Sequence, residues 1–272
     1  MPTLAMNEMT TYRWSFEQDV ERYLAAGIAK IGVWRPKLSD YGEVAGIDLL
    51  SGVELGVSSL HWAGGFTGSD GRNYAESLND ACDAIRIAAE LQADCLLVHS
   101  GARGGHTRNH ARRLLQTALS ELLDVARDAQ VPLVLEPMPR ESAAQWTFLH
   151  TLGETLELVE EMGSPWLKIA FDTYHLGHDW EALEMTPALA SQIALVQLAD
   201  AVGPPTDEQD RFPLGRGRLP LEDIINRLRS AGYAGAFEVE LMGPEIEASE
   251  YHSLLIQTRA AFADLTALTA TS

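Results

Sequence analysis

The stretch KIAFDTYHLGHDW, Lys168 to Trp180, sets two carboxylates and two imidazoles close together. Ile169, Ala170 and Phe171 form a short apolar run that stops at Asp172, and His175, His178 and Asp179 follow. An acid ending a buried strand, with imidazoles just beyond it, could hold a cation, carry a proton or grip a substrate oxygen. The chain repeats the device: VLE ends in Glu136, AFD in Asp172, and EVE supplies Glu238 and Glu240, with Gln197 and Asp200 on the strand between. An ion pair with a neighbouring Lys or Arg explains any one of these acids. Acids on three of four consecutive strands would be costly to bury unpaired, and a divalent cation is the simplest shared counter-charge.

Such groups need elements to position them. Short aliphatic or β-branched runs at 3–7, 28–33, 54–60, 94–99, 132–137, 166–172, 193–199 and 236–241 read as eight strands. Several lack alternation, as parallel strands covered on both faces do. Helical patterns fill the gaps. Ser15 with Gln18 reads as a capping box opening a helix through Leu24, and Thr151 with Glu154 as a second, stopped at Gly163 and Pro165. Residues 107–129, the run after Pro220, and Tyr251 to Leu265 show helical spacing. No Gly-rich phosphate turn follows the first strand, and GARGGHTR is not a dinucleotide fingerprint. The pattern therefore predicts a single (β/α)8 TIM barrel over residues 1–272 rather than an open sheet. In such barrels reactive groups sit at the C-terminal strand ends. The longest irregular segment, 201–219, is expected to be functional or mobile.

Composition narrows the classes. The net charge of −19 repels phosphate backbones and anionic membranes, so neither nucleic acid nor membrane is an expected partner. No apolar run is long enough to span a bilayer, and the start MPTLAMNEMTTYRW lacks the basic and apolar regions of a secretion signal. Cys82 and Cys95 read as buried free thiols. A cytoplasmic protein is expected.

The motifs VPLVLEP, FDTYH, VQLAD, FPLGRGRLPL and AGYAGAFEVEL occur in this order along nearly the whole chain. In them the sequence resembles the sugar phosphate isomerase/epimerase family. These are the xylose isomerase-like TIM barrels, which include ketose 3-epimerases, inosose dehydratases and three-zinc apurinic endonucleases. The resemblance implies a metal held by Glu136, Asp172, Gln197 and Glu240, with Glu136 and Glu240 also acting as catalytic proton carriers. It places His175 against the substrate, with Arg211 reaching in from the long loop, and puts His61 and His99 at polar or metal-binding positions, both as candidates to bind substrate against a hydrogen-bonded barrel histidine as the alternative. Gln197 departs from the histidine usual there, so three carboxylates and an amide oxygen would suit Mn²⁺ or Mg²⁺ better than Zn²⁺. Glu238 faces the same way as Glu240 one layer deeper and is expected to be held by a cation or hydrogen bonds.

Trp34 and Trp62, at strand ends, are candidates to stack on a sugar, against plain packing as the alternative. His178 with Asp179 reads as a helix start. Arg103, Arg108, Arg112 and Arg113 read as a solvated helix start, with an anion site as the sharper alternative. The expected activity is metal-dependent sugar isomerisation or epimerisation through an enediolate, on a small sugar or sugar derivative in carbohydrate metabolism. The alternatives are an inosose-type dehydratase and a non-catalytic, metal-free binding barrel. A repair nuclease is disfavoured because Phe212 stands where its zinc site needs histidine. Assembly into a homo-oligomer is left open.

Overall fold

The structure, a computed structural model, describes residues 2–267. Eight strands, β1 (Thr3–Asn7), β2 (Lys30–Trp34), β3 (Gly56–Gly64), β4 (Leu96–His99), β5 (Leu133–Leu135), β6 (Leu167–Asp172), β7 (Ile193–Leu198) and β8 (Ala236–Val239), close in chain order. Every pairing is parallel, and β8 returns to β1 through Thr3–Ala236 to Met6–Val239. The expected barrel is the observed one.

Strand parity sorts the side chains. On β4, Leu96 and Val98 join the large apolar cluster shared with the helices, whereas Leu97 joins a small separate one. On β5, Leu133 and Leu135 split from Val134, and on β6, Ile169 and Phe171 split from Ala170. Alternation therefore puts Leu97, Val134, Ala170 and Leu195 inside the barrel. Two residues further along each strand the same parity carries His99, Glu136, Asp172 and Gln197 inward. On β8 it turns Glu238 and then Glu240 to the inside. An apolar plug thus gives way at the C-terminal mouth to a ring of polar groups.

The helix starts follow their caps. Ser15 and Gln18 close a full capping box on Phe16–Ala25. Thr107 caps Arg108–Ala129, and Asp179 caps Trp180–Leu189, confirming the helix start read there. Thr151 caps Leu152–Met162, but Glu154 accepts from the His150 amide and pairs with Arg108, so only half the expected box forms. Two helices, Arg35–Tyr41 and Glu43–Ser51, fill the β2–β3 connection, where none was read. Pro36 in the first turn and Gly42 at φ 104° cut the region into pieces too short for a periodic signal. Cys82 is only half-buried, while Cys95 is buried as expected, and both are free. No helix among the described residues is long and apolar enough to cross a membrane.

The segment 201–219 is irregular but pinned. Asp200 and Phe212 form an isolated antiparallel bridge, and Asp200 Oδ1 accepts from the amides of Ala201 at 2.8 Å and Leu219 at 3.0 Å. Asp200 is therefore a staple of the loop, and that loop delivers Arg211 to the barrel mouth.

Candidate active site

Glu136, Asp172, Gln197 and Glu240 are all buried at this mouth. Asp172 sits opposite Gln197 in register, and Gln197 opposite Glu238. Arg211, itself buried, enters between them. Its Nη1 donates to Asp172 Oδ2 at 2.6 Å, its Nη2 lies 3.5 Å from Glu240 Oε1, and its guanidinium rests 4.9 Å over the Tyr174 ring. Asp172 Oδ1 accepts from the Tyr174 amide at 2.8 Å. Part of the counter-charge that these acids need is thus a side chain of the chain itself.

Among the described residues the three acids of the expected ligand set fall into two groups. Glu136, Asp172 and His175 bring ligand atoms within 4.8 Å of one another, and so do His61, Glu238 and Glu240. Arg211 touches one acid of each group. Gln197 Nε2 donates to Glu240 Oε2, while Gln197 Oε1 is buried without a hydrogen-bond partner among the described residues.

His175 reaches the barrel mouth, with Nε2 3.7 Å from Glu136 Oε1 and 3.8 Å from Asp172 Oδ2. His99 Nε2 lies 3.2 Å from Glu136 Oε2, and its ring stacks on Trp62 with centroids 5.2 Å apart. Burial, helped by the neighbouring Asp172 and Glu240, pushes the Glu136 carboxyl well above its ordinary range. Burial also raises Glu240, although Arg211 and His61 pull it back. Burial takes His99 down to about 3, with His61 and His175 adding to it. Burial likewise lowers His175 to about 4, against the pull of Asp172. Two neutral imidazoles, His99 and His175, therefore face a Glu136 carboxyl that holds its proton more tightly than usual.

These groups face a chamber of about 130 Å³ that is also lined by His61, Trp62, Arg211 and three methionines, Met9, Met138 and Met242. Trp62 is where a stacking residue was expected. Trp34 is not in the chamber; it lines outer hollows of about 540 and 580 Å³. Trp146, which sequence reasoning missed, edges Trp62 at 5.5 Å and joins the chamber wall from an irregular stretch with no periodic signal. The methionines did carry a signal: Met138 and Met242 each follow a mouth acid by two residues, which is the strand repeat. Two of the four arginines of the basic cluster are paired with acids of the next helix. Arg108 pairs with Glu154, and Arg112 lies 2.9 Å from Glu161 and 3.7 Å from Glu157.

A closed parallel barrel with a ring of buried carboxyls at its C-terminal mouth defines the class. The sequence profile of the xylose isomerase-like TIM barrel family matches residues 31–258, and the chain belongs to that family. Among curated relatives, an inosose isomerase of Halalkalibacterium halodurans is 29% identical over 145 residues, 51% of this chain and 49% of its own. A D-psicose 3-epimerase of Enterocloster bolteae is 30% identical over 130 residues, 45% of this chain and 37% of its own. The chain thus spans about half the length, or less, of these relatives. Among solved structures, a Sinorhizobium meliloti 1021 protein superposes with a TM-score of 0.89 at 27% identity, covering 96% of this chain and 98% of its own. The IolI protein, solved with a zinc atom bound, gives 0.84 at 18% identity over 100% of both chains, a likeness of fold.

Proposed function

We propose that the protein is a sugar isomerase or epimerase that moves a proton at the carbon beside a carbonyl. The observation that carries this reading is the pair of buried carboxyls, Glu136 and Glu240. They come from different strands, both are raised above their ordinary range, and both face one small chamber. A carboxyl so raised is a stronger base when ionised and is available as an acid near neutrality. One takes the proton, and the other returns it. Arg211, held by Asp172, supplies a fixed positive charge beside the oxygens on which an enediolate develops its charge. His175 and His99, kept neutral, are placed to hydrogen-bond substrate hydroxyls, and Trp62 offers a flat apolar face. The sugar and isomerase names of the relatives above agree with this chemistry.

The donor types, although split between two groups with Arg211 between them, are also those of a hard-cation site. Gln197 Oε1 is a buried acceptor without a donor among the described residues, on a side chain that lies beside Asp172 in register and touches Glu240. Glu136, Asp172, Gln197 and Glu240 would hold Mn²⁺ or Mg²⁺, which when bound polarises the substrate carbonyl.

The test is exchange in D₂O. Purified protein with Mn²⁺ is offered ketoses, sugar acids and inososes, and NMR follows deuterium entering the carbon beside the carbonyl, together with any isomerised or dehydrated product. Glu136→Gln and Glu240→Gln are each expected to slow exchange by about 10²-fold or more. Wild-type exchange in either variant removes that residue from the proton path, and a panel without any exchange overturns the reading.

A further inference from the structure

Glu238 has no part in the proton transfer above, yet four neighbouring side chains hold it. It is fully buried one layer below Glu240. Its Oε1 accepts from Asn7 Nδ2 at 2.7 Å and lies 3.1 Å from His61 Nε2. Its Oε2 accepts from the hydroxyls of Ser58 and Ser59, both at 2.6 Å. Gly32 on β2 leaves the room, since a Cβ there would come within 2.6 Å of the carboxylate. This cradle is built to hold an anion.

The His61 ring shows what the anion does. With a carboxylate oxygen 3.1 Å away, Nε2 cannot present a lone pair and must carry a proton. The amide nitrogen of Asn7, 3.0 Å from Nε2, donates one hydrogen to that same oxygen; its other hydrogen could meet Nε2 only in the opposite tautomer, which would turn the ring's lone pair onto the carboxylate. The ring's other nitrogen, Nδ1, lies 3.9 Å from Glu240 Oε2, and His61 lines the chamber. We propose that Glu238 is a positioning residue: it fixes His61 with its proton on Nε2 and turns Nδ1 into the chamber, where Nδ1 meets a substrate oxygen. A carboxylate behind an imidazole sets both tautomer and orientation in the same way at other sites. What Nδ1 meets rests on the isomerase reading above; the state of the ring does not.

The experiment separates the two. ¹⁵N NMR of the histidine rings in the wild-type protein, without substrate, is expected to show His61 protonated at Nε2 with a slowly exchanging proton. In Glu238→Gln that proton is released to exchange or the tautomer reverses, while the melting temperature stays near wild type. If Glu238→Gln does not fold, Ser58→Ala, which removes one donor to Oε2, replaces it and should speed exchange of the same proton. A wild-type ring bare at Nε2, or a ring signal that neither variant moves, overturns the assignment. Activity supplies the second arm. Glu238→Gln should lower D₂O exchange roughly 10–100-fold, in kcat more than in KM, and should add nothing to the loss already caused by His61→Gln. Additive losses would show that Glu238 does not act through the ring. If no sugar exchanges with any variant, the isomerase reading fails, and the ring spectra still decide the placement of His61.

Discussion

Gln197 is the residue on which the metal question turns. Its amide oxygen is neutral, buried and without a donor, and its amide nitrogen is committed to Glu240. A cation held by this oxygen and three carboxylates meets only hard ligands, so the site should prefer Mn²⁺ or Mg²⁺ and release the ion readily to a chelator. Gln197→His is expected to tighten binding and shift preference towards Zn²⁺ or Co²⁺. Gln197→Ala should weaken Mn²⁺ binding with the fold intact. Calorimetric titration of the three metal-stripped proteins checks this, and identical isotherms would take Gln197 out of the ion's ligands. At this scale the sequence showed types and strand ends, which is why Glu136, Asp172, Glu240 and His175 were legible. Partners distant in the chain were not. Arg211 lies 39 positions from the Asp172 it neutralises. The Glu238 cradle draws on Asn7, Gly32, Ser58 and Ser59, which read as ordinary strand residues until the barrel closes.

At the scale of elements, β1 and the helices Phe16–Ala25 and Arg35–Tyr41 are clamped by a buried cluster outside the site. Lys37 Nζ donates to Asp19 Oδ2 at 2.5 Å and to the carbonyls of Glu8 and Thr11 at 3.1 and 3.0 Å. Thr11 Oγ1 donates to Asp19 Oδ1 at 2.6 Å and also meets the Tyr23 hydroxyl. Glu8 accepts from the Trp34 amide at 2.7 Å. Two carboxyls compete here for one lysine. Burial and the nearby Asp19 push Glu8 well above its usual range, and burial raises Asp19 to about 6 despite Lys37. Over the interval between the unfolded and folded values the native state holds the extra protons. Stability from these groups is therefore greatest below the unfolded carboxyl range and falls as pH rises through the folded values. Glu8→Gln keeps the acceptor for Trp34 and removes the competing charge. Its melting temperature relative to wild type should thus be higher at pH 7 than at pH 4.5; an equal difference at both would show that Glu8 does not titrate in the fold. The elements themselves were largely legible, because strand runs and caps are local. The paired helices after β2 were not, because Pro36 and Gly42 break the period on which such reading depends.

For the whole molecule, the decisive quantity is the excess of 39 acidic over 20 basic side chains, a net charge of −19. Several surface arginines are already paired, among them Arg112 with Glu161 and Arg227 with Asp223. Pairs this exposed contribute little each and weaken in salt. The unpaired acids repel one another over the whole surface, and that repulsion also weakens in salt, because the screening length falls from roughly 30 Å at 0.01 M to about 8 Å at 0.15 M. The two effects oppose each other, and the excess of acids decides the sign: repulsion loses more than the pairs do. Raising NaCl from about 0.01 to 0.15 M is therefore expected to raise the melting temperature at pH 7. The buried Arg211–Asp172 and Lys37–Asp19 pairs lie beyond the reach of screening and should not contribute to the change. Thermal melts across that range check the sign. A falling melting temperature would mean that the surface ion pairs outweigh the mutual repulsion of the acids.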